Sequence, residues 1–205
     1  MKTLGDLKRL KKHLKLFAIL DIIFCDEDWL RFYHFDSNWG KDLSLATIDN
    51  GAGDHVYILL SEKGVIIKGF DHESFLSPHA RDEYAVYPGI YENTPHALLI
   101  LLENDAMEKE EVTFCMWRET DDTTWKKGDV VIPEGEDDGA EFLLGTIYHD
   151  LEDYVEWAKN YYDMPISIEI IQEIFSGIPI SEEIIQSLNP ERNVDAARKE
   201  IKKVL

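Results

Sequence analysis

Apolar side chains recur at spacings of three and four along residues 3–24. The positions that set this spacing are Leu4, Leu7, Leu10, Leu14, Phe17 and Leu20. Such spacing places apolar side chains on one face of a helix. Between them lie the basic residues Lys8, Arg9, Lys11, Lys12 and Lys15. A basic amphipathic helix binds an anionic membrane or a partner, or packs onto its own chain. Because the rest of the chain is acidic, we expect this basic helix to pack onto its own chain.

A different pattern, in residues 43–70, predicts a β-meander. The apolar runs LSLATI, HVYILL and VIIKGF are separated by the segments DNGAGD and SEKG. Short apolar runs bounded by Asn, Asp, Ser and Gly are typical of strands joined by tight turns. We therefore expect three consecutive antiparallel strands here.

Loops and short elements alternate between residues 71 and 133. Residues 71–93 contain Pro78, Pro88 and Gly89 and predict a loop. The apolar run after them fits a helix with Thr94 as its N-cap and Pro95 at its first position, and equally fits a buried strand. Residues 111–119 and 130–133 predict two further strands.

After an acidic loop at 134–141, the pattern becomes helical. Residues 150–163 begin with Asp150 as a cap, and residues 167–177 begin with Ser167 and end in Gly177. Residues 181–190 and the C-terminal stretch predict two more helices. The chain shows no alternation of strand and helix, which argues against a parallel sheet.

These elements predict an α+β fold in a single domain over residues 1–205. An N-terminal amphipathic helix at 3–24 and a C-terminal helical segment at 140–205 flank a mainly β region at 43–133, built as an antiparallel β-meander or sheet.

Charge is distributed unevenly along the chain. The formal net charge is −20, from 41 acids and 21 bases. Residues 1–15 carry +5 and residues 191–205 carry +2, so residues 16–190 carry −27. An acidic surface of this kind repels nucleic acid and anionic membranes and attracts basic proteins or divalent cations. The simpler interpretation is that these charges only keep the protein soluble.

The compartment is indicated by the cysteines and the apolar runs. Cys25 and Cys115 allow at most one disulfide bridge, which is typical of a reducing compartment. The apolar run at 16–25 contains Asp21 and is far shorter than the roughly 20 residues of a membrane-spanning helix. We therefore predict a cytoplasmic protein with no membrane span.

Candidate chemistry lies in GFDHESFLSPHARDEY, residues 69–84. If the SEKG turn pairs Ser61 with Gly64, the end of the hairpin places Asp54 opposite Asp71. Two facing aspartates are destabilising unless a positive charge lies between them. The sequence thus suggests a divalent cation at this end of the hairpin, bound by some of Asp54, His55, Asp71, His72 and Glu73. Alternation places His55 and His72 on one face and the three acids on the other.

Two interpretations of this stretch stay open. Oxygen ligands suit Mg²⁺, Ca²⁺ or Mn²⁺, and a histidine pair suits Zn²⁺, so a cation could activate water in a hydrolase, with Ser74 or Arg81 as binding residues. Alternatively, Asp71 and Ser74 cap a turn, His72 bonds the backbone and Asp54 is solvated. The stretch matches neither the HExxH motif nor the calcium-loop spacing, and no catalytic residue is assigned.

Several short strings resemble those of a group of uncharacterised bacterial proteins. They are GFDHES with a following SP, YPGI, TFCMWRE, WAKNYY and LNP. The resemblance implies a bacterial, cytosolic protein and carries no activity with it.

The sequence leaves two functions open. One is a binding or regulatory protein, of the immunity or antitoxin type, that engages a basic partner. The other is a metal-dependent hydrolase at the hairpin end. A homo-oligomer is compatible with both.

Overall fold

A six-stranded antiparallel sheet forms the centre of the fold, with its strands in chain order. The computed structural model describes residues 4–205. The strands are β1 (Tyr33–Gly40), β2 (Leu43–Asp49), β3 (His55–Ser61), β4 (Gly64–Phe70), β5 (Phe114–Glu119) and β6 (Lys126–Lys127). Together with the flanking helices, this sheet confirms the predicted α+β class.

The predicted β-meander is confirmed in its register. Ser61 pairs with Gly64 and His55 pairs with Phe70, as the turn chemistry indicated. Gly64 has φ +136, and a Cβ added there would lie 2.3 Å from the carbonyl oxygen of Arg118. Glycine is therefore required at this turn, because any side chain would collide with the neighbouring strand β5.

Seven α-helices of the described chain surround the sheet. They are α1 (Leu7–Phe24), α2 (His96–Leu99), α3 (Ala140–Gly145), α4 (Leu151–Tyr162), α5 (Ile168–Ser176), α6 (Glu182–Leu188) and α7 (Val194–Val204). The Asp150 side chain accepts from the Glu152 amide at the start of α4, and Ser167 caps α5 in the same manner. Gly177 ends α5 in the left-handed region.

Two details of the predicted elements were wrong, the strand at 130–133 and the helix cap at Thr94. Residues 130–133 form no strand, because Val130 and Asp129 pack against the backbone of Gly89 and leave Val131 exposed. The last strand is instead the two-residue β6. The apolar run after Thr94 is a helix with Pro95 as its N-cap, starting at His96.

Strand β1 is absent from the predicted elements. Its sequence YHFDSNWG holds Asp, Ser, Asn and Gly, which are poor strand formers, so its alternation of buried and exposed positions is visible only in part. It lies at one edge of the sheet and pairs with β2, with an irregularity between Asp36 and Gly40.

Helices cover one side of the sheet and form what we call the helical layer, α1 with α3–α7. Alternate strand residues such as Val56, Ile58 and Ile67 face this layer in a large hydrophobic core. Phe17 of α1 lies near its centre, fully buried and stacked on Tyr154 with ring centroids 4.4 Å apart. Most of the fold's apolar burial therefore lies on this side.

Irregular segments cover the other side and form what we call the loop layer, residues 71–113 and 128–138. Leu59, Ile66 and Trp117 of the sheet face it. The loop layer supplies buried residues such as Leu98 and Leu102 to this smaller core. The two sides of one sheet are thus covered by very different structures.

Helix α1 packs onto its own chain, while residue 3 of the predicted helix lies outside the described residues. Its lysines bond the helical layer and strand β2: Lys11 Nζ donates to Ser44 Oγ, Lys12 Nζ to the Phe175 carbonyl and Lys15 Nζ to the Leu205 carbonyl. Within residues 4–205, none of the helices combines the length and apolar character needed to cross a bilayer.

Candidate functional site

The end of the β3–β4 hairpin brings together three of the predicted site residues. Asp54, Asp71 and His72 each offer one ligand atom, and these atoms lie within 4.8 Å of one another. The hairpin register explains why the two acids meet, because His55 and Phe70 form the last pair and Asp54 directly precedes His55 while Asp71 directly follows Phe70. We call these three residues the hairpin-end cluster.

Asp54 is the buried centre of this cluster. Its Oδ1 accepts from the backbone amide of His72 at 2.9 Å and from His72 Nδ1 at 2.7 Å, and its Oδ2 accepts from Asn50 Nδ2 at 2.6 Å. Burial would raise the pKa of the carboxyl, but these hydrogen bonds outweigh it and lower the pKa. Asp54 is buried, so the expectation of a solvated side chain was wrong.

His72 complements Asp54 electrostatically. The hydrogen bond to Asp54 raises the pKa of the exposed His72 imidazole, and the charges of Asp54, Glu73 and Asp71 add to the effect. The predicted split of the cluster between two faces was wrong for His72, because the chain leaves the sheet after Phe70 and turns this side chain back toward Asp54.

Asp71 lies between this hairpin end and the acidic loop. Burial raises the pKa of its carboxyl, and the charges of Asp54 and Asp137 raise it further. Its Oδ1 accepts from the Glu73 amide at 3.0 Å. A Cβ added at Gly139 would lie 2.6 Å from Asp71 Oδ2, so the acidic loop approaches this carboxylate closely because residue 139 is glycine.

Hydroxyl groups join the hairpin end to the acidic loop. Ser74 Oγ donates to the Asp137 carbonyl at 2.9 Å, and Thr113 Oγ1 donates to the Asp138 carbonyl at 2.8 Å. Ser74 Oγ also accepts from the Leu76 amide, which confirms its expected role in a turn. These contacts show that Ser74 serves the folding of the loop layer.

The other predicted site residues lie elsewhere. His55 is on the loop-layer side of the sheet, and its Nε2 lies 3.1 Å from Lys68 Nζ. Glu73 is exposed beside the cluster. Arg81 is exposed, with its guanidinium 5.2 Å from the ring centroid of Tyr87.

A second polar group, centred on Lys68, lies beneath the loop layer. The Lys68 side chain is fully buried, and its Nζ donates to the carbonyls of Met107 at 2.9 Å and Glu108 at 2.8 Å. Burial lowers its pKa to about 8, against the raising effect of Glu108, Glu111 and Glu110. Burial, and then the Lys68 charge, lower the pKa of His55 to about 4, so its Nε2 accepts from the amine.

This arrangement identifies Lys68 as the residue that fixes segment 104–111 onto the sheet. Three acceptors occupy the ammonium, and Tyr57 lies beneath it with 4.7 Å from Nζ to the ring centroid. Tyr57 in turn donates to Glu108 Oε2 at 3.0 Å. The chemistry shown is anchoring of a loop by a buried cation.

Cys115 is suited to packing. Burial raises the pKa of its thiol to about 12, so it holds its proton at neutral pH. Both cysteines are free, and Cys115 lies in the smaller core beneath the loop layer.

Comparison of the chain with protein-family models, with curated proteins and with solved structures finds no match in any of the three. The resemblance to a group of bacterial proteins therefore stays a prediction.

Sequence reasoning missed Lys68, Asn50 and Gly139. Lys68 stands in the strand sequence VIIKGF, where a lysine ordinarily marks a solvent-facing position. The signal for its burial is that all its neighbours in the strand are apolar or glycine, which is typical of a strand covered on both sides.

Proposed function

We propose that this protein binds a basic protein partner through its loop layer. The observation that carries the proposal is the charge of that layer. Residues 71–113 contain ten acids against two bases, Arg81 and Lys109, and residues 128–138 contain five acids and no lysine or arginine. Many of these acids are exposed, including Glu73, Glu110 and Glu134.

The bases of the N-terminal helix leave this charge uncompensated. Lys11, Lys12 and Lys15 of α1 bond groups in the helical layer and in strand β2, on the opposite side of the sheet from the loop layer. A surface with one dominant sign attracts an oppositely charged partner and accelerates association in a salt-dependent manner. This supports the proposal of a basic partner.

The hydrogen bonds within the hairpin-end cluster weigh against a catalytic role. Both carboxylate oxygens of Asp54 already accept hydrogen bonds from the turn, and Asp71 accepts one from Glu73. The Nδ1 atom of His72 is likewise bonded to Asp54 Oδ1 at 2.7 Å. The polar groups of this stretch are therefore used largely to fold the loop layer.

The proposal also includes the compartment in which the protein acts and its oligomeric state. A cytoplasmic site of action accords with two free cysteines, and an immunity-like or antitoxin-like protein is the form of binding protein that we favour. A homo-oligomer would need the loop layer to stay accessible, because the partner binds there.

Two charge variants of equal size test the proposal. The loop-layer variant replaces four exposed glutamates by glutamine: Glu73, Glu110, Glu134 and Glu136. The helical-layer variant does the same at Glu152, Glu156, Glu173 and Glu191. Each immobilised protein is offered a cell extract at low and high salt.

We expect the wild type to capture a basic protein that high salt releases. The helical-layer variant should capture it equally and the loop-layer variant should not. Capture that is independent of salt, or lost equally in both variants, would contradict the proposal.

A cation-dependent hydrolase is the second candidate, favoured by the convergence of Asp54, Asp71 and His72. Carboxylate and imidazole ligands suit Mn²⁺ or Zn²⁺. Elemental analysis of protein purified without chelator should then find one bound ion that the Asp71→Asn and His72→Ala variants lose. Absence of metal, with melting temperatures unchanged by added Mg²⁺, Mn²⁺, Ca²⁺ or Zn²⁺, would eliminate this candidate.

A further inference from the structure

Two clefts meet at Tyr87 on the surface of the loop layer. One has a volume of about 460 Å³ and is lined by residues 80–83 together with Phe75 and Ala85. The other has a volume of about 320 Å³ and lies between residues 87–89 and Val131. Tyr87 lines both. We call the two clefts together the Tyr87 surface.

Phe75 and Val131 are exposed apolar side chains on either side of Tyr87, and we call these three residues the apolar floor of the Tyr87 surface. Phe75 is 46% exposed and Val131 is 82% exposed. The rings of Phe75 and Tyr87 meet edge to face at 6.2 Å, and the Tyr87 hydroxyl donates to the Val131 carbonyl at 3.3 Å. Exposed aromatic and aliphatic groups that lie together in clefts are characteristic of an interaction surface.

Acids surround this floor. Asp82 and Glu83 line the first cleft, and Glu92 and Asp129 line the second. Among the described residues, Asp82, Glu83 and Glu92 form no salt bridge with a lysine or arginine. An apolar floor with an acidic rim complements a segment that carries both apolar and cationic side chains.

One side chain of the chain itself shows which cation suits the site. The Arg81 guanidinium lies over the Tyr87 ring, 5.2 Å from its centroid, and Arg81 lines the first cleft. Guanidinium groups stack on aromatic faces and are more weakly hydrated than ammonium groups. The aromatic face of Tyr87 is therefore accessible to an arginine within an acidic environment.

We propose that the Tyr87 surface docks an arginine-bearing segment of the basic partner, an inference that rests on the function proposed above. The arginine stacks on Tyr87 in the place that Arg81 takes in the free protein. Asp82 and Glu83 flank it, and apolar side chains of the segment lie on Phe75 and Val131.

The backbone beneath the Tyr87 surface is fixed in advance of binding. Segments 89–90 and 128–130 approach so closely that a Cβ at Gly128 would lie 2.1 Å from the Gly89 carbonyl oxygen. Gly89 itself has φ +90, which side chains rarely adopt. These two glycines hold the second cleft in one shape, and a preformed surface loses less entropy on binding.

The test uses two short labelled peptides as probes. One alternates arginine with leucine and glycine, and the other has lysine in place of every arginine. Binding is measured by fluorescence anisotropy at about 50 mM salt, where screening is weak. The proteins are the full chain, its Tyr87→Leu, Arg81→Ala and Asp82→Asn/Glu83→Gln variants, and the control Glu156→Gln/Glu173→Gln.

We expect the wild type to bind the arginine peptide about twofold to fivefold tighter than the lysine peptide. Tyr87→Leu should abolish this preference. Arg81→Ala should increase it, because the ring becomes free. The Asp82→Asn/Glu83→Gln variant should weaken both peptides, while the control binds as the wild type does.

The outcomes separate this inference from the function it rests on. Equal affinity for both peptides in the wild type, or an arginine preference that survives in Tyr87→Leu, would overturn the docking of arginine on Tyr87 and leave the acidic loop layer as the binding face. No binding of either peptide to the wild type would overturn both proposals. Because Tyr87→Leu could disturb the fold, its melting temperature is compared, and Arg81→Ala provides an independent answer.

Discussion

The two sides of the sheet are stabilised by different means. On the helical side, 36 buried hydrophobic residues of the described chain form one core. On the loop side, ten such residues share the interior with the amine of Lys68. The loop side depends on a buried cation, on turn hydrogen bonds and on close glycine contacts, and its two segments carry 15 acids against only two bases. The helical side therefore holds most of the hydrophobic core, and the loop side is the side on which we propose that a partner binds.

This contrast implies unequal local stability. Segments with few buried apolar contacts open more readily than a packed core, and surfaces that bind partners are commonly drawn from them. We expect the loop layer to open in events that leave the sheet and the helical layer intact.

The largest expected effect comes from the helical core. Phe17→Ala removes a fully buried ring that contacts Tyr33, Tyr154 and Phe175. The free energy of unfolding should fall by about 3–5 kcal/mol, because a large cavity is left in a packed interior. Denaturant unfolding measures this. Peptide binding at the Tyr87 surface should persist in the fraction that stays folded, and its loss there would show that the two sides of the sheet are not independent.

The second largest effect is expected in the pH dependence of the free energy of unfolding, which Asp21 on the helical side should dominate. Burial raises the pKa of Asp21 to about 7, against the lowering effect of Tyr162 and of the Tyr33 and Phe32 amides. Asp21 in the folded state thus holds a proton that it releases near pH 4 in the unfolded state. The protonated carboxyl stabilises the folded state fully below pH 4, and this contribution is lost as the pH rises through about 7. The shift corresponds to about 4 kcal/mol.

Asp21→Asn tests this assignment, because asparagine keeps an oxygen for the amides of Phe32 and Tyr33. The slope of unfolding free energy between pH 4 and pH 7 should flatten in the variant. An unchanged slope would assign the pH dependence to other groups.

A smaller and more local effect is expected from Lys68 on the loop side. Lys68→Met leaves the buried carbonyl of Met107 and the partly buried carbonyl of Glu108 without their donor, which should lower the free energy of opening of segment 104–111 by about 1–3 kcal/mol. Hydrogen exchange should accelerate there and stay unchanged in α1. The exposed Lys63→Met is the matched control, and equal acceleration across both sides would contradict a separate loop layer.

The smallest effect is expected at the hairpin end. His72→Ala removes an exposed imidazole whose pKa is raised by Asp54. Its contribution is present below the ordinary histidine pKa and is lost as the pH rises through the raised value. The variant should therefore lower the melting temperature slightly at acidic pH and less at alkaline pH. A larger loss at alkaline pH would show that the charge of His72 is unimportant.

The elements that the sequence could predict are those that depend on local chemistry. The hairpin register followed from Ser61 and Gly64, and the caps of α4 and α5 followed from Asp150 and Ser167, because these depend on local chemistry. The meeting of Asp54 with Asp71 followed from the register. The packing of the loop layer onto the sheet could not be predicted, because it depends on contacts between distant segments.

Three such contacts show why local sequence patterns could not predict these positions. His72 turns toward Asp54 only because the chain leaves the sheet at Phe70, and Lys68 is buried only because segment 104–111 covers it. Val131 stays exposed because its neighbours pack against Gly89. Each depends on a tertiary approach that periodicity and spacing do not encode.

The most direct test of the central claim is the salt dependence of arginine-peptide affinity in the wild type, the loop-layer variant and the helical-layer variant. The two variants remove the same charge from opposite sides of the sheet. We expect the loop-layer variant to bind more weakly with a shallower dependence on salt, while the helical-layer variant binds as the wild type does. Equal weakening in both variants would contradict this expectation, since net charge alone would then account for binding.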